Sequence, residues 1–269
     1  MPHIQANNIT IYYEQDGSGP AMVWAHGLMG SLHGWDETSN YFRDRFQVIA
    51  YDGRGHGRSE KPINPEAYSQ DIMVEDMKGL LDSLNIEKAI VGGHSMGSNI
   101  ALNFALKYPE RCLGLIPVGI GTGSSDQQWW KDYFANLADV AEKHGMRAVL
   151  EEVKKVPSWA PVLQDPKLGP LVSRELLGNC SQAIASTIRG VVRARPSIFQ
   201  LEPKLIKCPV PTLVVCSDAD KPVIECSRVM VEKMPHAQMV VVSAKSHWTH
   251  MESPDGFLQV VDDFVSKLI

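Results

Sequence analysis

Short, almost unbroken apolar runs recur along this chain, and no other feature constrains its fold as much. "NITIYYEQ" leads into a turn at Gly17-Ser18-Gly19-Pro20, and then come "AMVWAHG", "QVIAYDG", "KAIVGGH", "CLGLIPVG", "PTLVVCS" and "AQMVVVS". Runs of this length without polar alternation are expected of strands buried on both faces of a parallel sheet. Helical patterns separate several of them. In "YSQDIMVEDMKGLLDSL" the residues Met73, Met77, Leu80, Leu81 and Leu84 share one face, and Phe257, Val261, Phe264, Val265 and Leu268 do so in the last segment. Alternating strands and helices predict an α/β fold, a mostly parallel doubly wound sheet of about eight strands. From about Ser124 to Pro203 the rhythm breaks, leaving helical patterns such as "WWKDYFANLADVAEKHG" and "MRAVLEEVKKV" with Pro-rich joints. The predicted organisation is a core of residues 1–123 and 204–269, with a helical cap inserted at 124–203.

Composition narrows the classes of function. The 269 residues are enough for one large domain, and a net charge of −5 without any Lys/Arg-rich run argues against a nucleic-acid or anionic-membrane surface. No apolar run approaches a membrane span, and "MPHIQANNITIYYEQDG" lacks the basic-then-apolar order of a signal peptide. The five cysteines (Cys112, Cys180, Cys208, Cys216, Cys226) form no CxxC pair, which reads as free thiols in a reducing, cytoplasmic compartment. With no ligand cluster and no phosphate loop, neither a metal nor a cofactor is expected.

The run "IEKAIVGGHSMGSNIALNFALKYP" reads as strand, sharp turn and helix, with Gly93-His94-Ser95-Met96-Gly97 at the turn. A serine there sits in a sparsely populated backbone region, so its neighbours two before and two after must be small. The turn lifts the hydroxyl clear of the sheet, and the helix that follows points its first N–H groups at a developing anion. The plainer alternative is a Gly-rich turn whose serine only caps the helix. A second signal favours catalysis. His26-Gly27 directly follows an early strand, so the N–H groups of Leu28 and Met96 can face one cavity as an oxyanion hole. His26 itself reads as a side chain that holds this loop rather than as an acid or base.

Together with "YDGRGHGRS" and an Asp and His later in the chain, these motifs resemble the α/β-hydrolase fold family over nearly the whole length. The resemblance implies a structural role for Asp52, Arg54 and Ser59 in the "DGRGHGRS" loop. It implies that the acid follows "PTLVVCS". Matching Ser217 to the family's glycine makes it Asp220, with Asp218 as the alternative, and "IPVGIGTGSS" offers no carboxylate after the preceding strand. In "SAKSHWTHMESPDGF" it places the catalytic histidine at His247 and a packing or hydrogen-bonding one at His250, with Glu252 and Pro254 opening the last helix. Without their partners, both histidines would pass for solvated loop residues.

A triad of Ser95, His247 and Asp220 implies acyl transfer, with a carboxylic ester or lactone of a small to medium apolar molecule as the expected substrate. Cap residues Trp129, Trp130, Tyr133, Phe134, Trp159 and Phe199 suit an apolar roof, or equally the packing of cap on sheet. His26, Trp129 and Trp248 are the expected substrate contacts. Two alternatives stand beside this reading. A carbon–carbon bond hydrolase of ring-cleavage products would share the Trp after the catalytic histidine, although His94 stands where Asn is common. A ligand receptor could keep the triad and signal through its cap. The expected partner is a small molecule, with no nucleic acid and no membrane, and the chain is expected to be a monomer or homodimer.

Overall fold

A computed structural model describes residues 2–121 and 128–269. The sheet contains β1 (His3–Ala6), β2 (Ile9–Asp16), β3 (Ala21–Ala25), β4 (Gln47–Tyr51), β5 (Ala89–His94), β6 (Cys112–Val118), β7 (Thr212–Ser217) and β8 (Ala237–Val242). Their order is β1-β2-β4-β3-β5-β6-β7-β8. The β1–β2 and β2–β4 pairs are antiparallel, and every other neighbouring pair is parallel. This is the mostly parallel, eight-stranded sheet that the alternation predicts. Every residue of β3, β5 and β7 is buried, which is why these strands read as continuous apolar runs.

The sequence reading begins at the second strand and misses the first. β1 is a short, half-exposed edge strand, "HIQA", with no apolar pattern to betray it. It joins β2 through Asn7 and Asn8, both with positive φ (45° and 63°), a two-residue hairpin turn for which asparagine is among the tolerated residues.

Helices α1 (Asp36–Phe42), α2 (Gln70–Ser83) and α3 (Met96–Lys107) lie before β6. Helices α4 (Gln128–Val153), α5 (Ala160–Gln164), α6 (Leu168–Gly178), α7 (Ser181–Thr187) and α8 (Glu202–Leu205) fill the stretch between β6 and β7. After β7 come α9 (Lys221–Lys233), α10 (Thr249–Glu252) and α11 (Pro254–Val265). One face of the sheet packs α1 and α11 through Trp35, Phe42, Phe257 and Phe264 around Trp24. The other packs α2, α3 and α9, and its apolar cluster runs on without a break into the cap, through Phe134, Leu137 and Val149 of α4 to Ile184 of α7. α4 is two helical pieces joined at Gly145, whose φ of 77° leaves the helical region, so the two sequence patterns in this stretch are indeed separate helices. The expected cap boundary near residue 124 lies outside the described residues. Among the described residues, no helix is long and apolar enough to cross a membrane.

The parallel strands all end at the same edge. His26 follows β3, Asp52 follows β4 and Ser95 follows β5, while Asp220 and His247 come from the loops after β7 and β8. Residues far apart in sequence therefore converge where open α/β sheets bind ligands.

Candidate active site

Ser95 occupies φ 53°, ψ −107°, between the last residue of β5 and the first of α3. Such a conformation costs on the order of 1–3 kcal/mol and persists only where its surroundings hold it. Here the Ser95 N–H donates to the Val118 carbonyl (2.9 Å), while its own carbonyl accepts from Ser98 Oγ (2.5 Å), Asn99 Nδ2 (3.0 Å) and the Asn99 N–H (3.3 Å). The glycines are sterically required. A Cβ at Gly97 would lie 2.1 Å from the Ala25 carbonyl oxygen, and one at Gly93 would lie 2.5 Å from the Gly97 backbone.

His247 is buried in the loop after β8, and its Nδ1–H donates to Oδ2 of Asp220, which is also buried. Asp218, the alternative acid, is exposed and accepts from the Ala244 N–H instead (3.1 Å). Ser217, standing where the family's pattern has glycine, donates its hydroxyl to the Ala244 carbonyl (3.1 Å) and so ties the end of β7 to the histidine loop. The other imidazole nitrogen, Nε2 of His247, is buried and has no hydrogen-bond partner among the described residues, Ser95 included. His250 stacks on Trp35 (centroids 4.4 Å apart). Glu252 sits in α10 rather than opening α11, and its Oε2 accepts from the Ser246 N–H (2.8 Å), closing the loop that carries His247.

The loop after β3 is held from below. His26 Nδ1–H donates to the Gly27 carbonyl (2.7 Å), and Nε2 accepts from the Gly53 N–H (2.9 Å). Both ring nitrogens are thus committed to backbone, and burial lowers the pKa of the ring. Asp52 bonds the Leu32 N–H (2.9 Å) and the Arg58 N–H (2.8 Å), and Ser59 donates to the Asp52 carbonyl (2.5 Å). Arg54 makes a buried bidentate pair with Asp76 of α2 (2.6 and 2.8 Å).

The sequence reading notes His94 only as standing where Asn is common and gives it no structural role. Its Nε2–H donates to the His247 carbonyl (3.0 Å), and its ring lies against those of His247 and His250 (both 4.7 Å). It also packs on Gly27, so one buried imidazole touches both loops of the site. Burial pushes its pKa well below the ordinary histidine range, and the neighbouring His250 and His247 add to the effect. The only signal for this role is its position inside the glycine-flanked turn.

A cavity enclosing about 510 Å³ of atom-free space, its mouth included, lies between this edge and the cap. His26, Leu28, Ser95, His247 and Trp248 line it from the core side, and Trp159, Val172, Glu175 and Leu176 from the cap side. Met96 is buried and is not among the residues that line the cavity. His26 lines the wall as expected, with both ring nitrogens bonded to backbone. Trp129 is corrected, for the residue is 53% exposed and is not among the lining residues. Adjacent helical residues point about 100° apart, and in α4 the buried stripe is Trp130, Phe134, Leu137, Ala138 and Ala141, so Trp129 stacks outward on Trp130 (4.2 Å). Of the cap aromatics expected to roof the site, Trp159 is the one in its wall, edge-on against Trp248 (4.3 Å). Glu175 carries no sequence signal. Among the described residues, no group of three or more His, Cys, Asp or Glu is placed to hold a metal ion.

Comparison with known proteins agrees with this architecture. A family model described as the alpha/beta hydrolase fold matches residues 20–254. The chain is 26% identical to 3-oxoadipate enol-lactonase 2 of Acinetobacter baylyi, over 98% of this chain and 96% of that one. It is 28% identical to 2-hydroxy-6-oxo-6-phenylhexa-2,4-dienoate hydrolase of Burkholderia cepacia, over 97% and 93%. The crystal structure of the enol-lactonase from Burkholderia xenovorans LB400 superposes with a TM-score of 0.87 at 24% identity, covering 98% of this chain and all of that one.

Proposed function

This chain belongs to the α/β-hydrolase fold family, and on that premise we propose that it is a serine hydrolase that cleaves a carboxylic ester or lactone through an acyl-enzyme. One observation carries the reading. The strained turn bearing Ser95 and the buried His247–Asp220 pair, brought from the ends of different strands, line or adjoin a single cavity. Because Asp220 accepts the Nδ1 proton, the lone pair of His247 is on Nε2, the tautomer a general base requires. Nε2 takes the hydroxyl proton as Ser95 Oγ attacks the carbonyl carbon, and later gives it to the leaving alkoxide. The imidazolium formed in between is stabilised by the Asp220 carboxylate. Hydrogen bonds of this kind are commonly long or unmade without substrate and close in the reacting complex, which fits the unpartnered Nε2.

The oxyanion that develops is assigned to the N–H groups of Leu28 and Met96. The first amides of a helix have no intrahelical acceptor, and Met96 opens α3. Leu28 lies in the cavity wall, on the loop that His26 anchors. Water then hydrolyses the acyl-enzyme by the same route. The test is labelling with a fluorophosphonate, followed by a panel of p-nitrophenyl esters of increasing length and simple lactones. Labelling at Ser95 and ester or lactone turnover, both abolished in Ser95→Ala, are expected, and an unlabelled wild-type protein would sink the reading.

A carbon–carbon bond hydrolase is the second reading. It rests on Trp248 in the cavity wall beside His247 and on the similarity to the Burkholderia cepacia hydrolase. Turnover of a vinylogous 1,5-diketone acid in preference to esters would select it.

A further inference from the structure

The cavity holds no cation to receive an anionic substrate. Among the described residues that line it there is no lysine and no arginine, and the remaining residues of the chain, Met1 and 122–127, contain none in their sequence. Apart from His247, the base of the proposed mechanism, the wall imidazoles do not replace one. His26 has both nitrogens committed to backbone, and His94 spends its N–H on the His247 carbonyl. Burial lowers the pKa of each, and takes His250 down to about 3. Among the described residues, the one carboxyl in the wall comes from the helices between β6 and β7. On α6, Val172, Glu175 and Leu176 stand at i, i+3 and i+4, the spacing of one helix face, and all three meet the cavity.

Glu175 is also held in place. Its Oε1 accepts from Ser31 Oγ (2.8 Å), and its backbone carbonyl accepts from Asn179 Nδ2 (2.8 Å). Burial pushes its pKa up, against the opposing pull of the Ser31 hydrogen bond and, more weakly, of His33. That is the behaviour of a carboxyl without an adjacent countercharge. An incoming carboxylate would lose its water, find no cation, and meet a fixed acidic group that repels it when ionised.

Resting on the serine-hydrolase reading above, we propose that Glu175 is a specificity-determining residue that makes this site select uncharged esters or lactones and reject substrates carrying a carboxylate. Discrimination of this kind comes from a built-in repulsive element rather than from better contacts to the favoured ligand.

The test compares kcat/KM for methyl butyrate and monomethyl succinate, followed by acid release, acyl groups matched except for a terminal methyl against a carboxylate. Purified wild type, Glu175→Gln and Glu175→Lys are assayed, and the anionic-to-neutral ratio is taken within each protein, so that any loss of folded enzyme cancels. Wild type should favour the butyrate by about 100-fold or more. The ratio should rise roughly tenfold in Glu175→Gln and further in Glu175→Lys. A wild type that turns over both esters within about threefold of each other, or variants that keep the wild-type ratio, would overturn the proposal while leaving Ser95 as the nucleophile. Fluorophosphonate labelling of Ser95 without turnover of either ester would overturn the substrate class and the proposal with it. Failure to label at all would overturn the serine-hydrolase reading itself.

Discussion

At the sheet edge, the groups assigned to chemistry are held by hydrogen bonds within their own turns and between neighbouring loops of the core. Ser95 is fixed by Val118, Ser98 and Asn99, His26 by Gly27 and Gly53, and Asp220 by His247. The cap is built otherwise, from α4 to α7 packed through apolar side chains, and its polar contacts with the core reach the loops that carry the site. Glu175 bonds Ser31, Asn179 Nδ2 donates to the Met29 carbonyl (2.9 Å), and the His247 N–H donates to the Ser158 carbonyl (3.3 Å). On the proposed reading the edge supplies the reacting groups and the cap shapes what reaches them, while its hydrogen bonds brace the loops. The division has a chemical logic. Reacting groups must hold their geometry to a fraction of an ångström, whereas a roof can vary in composition provided it excludes water and fits the ligand.

Substitutions in the two regions should therefore differ in kind. The largest effect is expected at the edge, where Ser95→Ala and His247→Ala should each lower ester turnover by several orders of magnitude, with losses that do not add in the double variant. Asp220→Asn should cost about ten-thousand-fold and Asp218→Asn about twofold or less, and the opposite order in steady-state kinetics would break the assignment of the acid.

Acid sensitivity should also belong to the edge. His56 and His250 are buried, with pKa values pushed down to about 3 from an ordinary 6.5, and His26 and His94 are lowered as well. Below pH 6.5 the unfolded chain binds protons that the folded chain refuses. Stability is then full above that pH and falls as the pH drops toward 3, by about 1.4 kcal/mol per pH unit for each such histidine. Urea midpoints between pH 7.5 and 5 measure this, and His250→Asn should flatten the dependence.

Smaller effects probe the brace. Asn179→Ala removes a bond to the oxyanion loop and should cost about 1 kcal/mol in a denaturant titration, with a few-fold loss in kcat/KM. Trp129→Ala should change kcat/KM by less than about twofold, as surface substitutions generally do little, and a large rise in KM would return Trp129 to the binding site.

Much of the edge was legible before any coordinates, because its backbone geometry makes local demands on composition. Only glycines fit at 93 and 97, and a buried parallel strand needs an apolar run. The first strand left no such mark, since an edge strand of four half-exposed residues has no pattern to keep. His94 was equally silent, because its partners are the carbonyl of His247 and the face of Gly27, and sequence proximity reports neither.

By itself the sequence determined the order of strands and helices, the turn at Ser95, and the short set of acids and histidines able to serve it. The tertiary structure alone paired His247 with Asp220 rather than Asp218, turned Trp129 outward, committed His26 to backbone and set Glu175 in the cavity wall. The reason is physical. Secondary structure follows from neighbours along the chain, which periodicity and sterics record, whereas a cavity wall is assembled from side chains far apart in sequence. Which of them face inward depends on how helices and loops pack, a property that no single segment encodes.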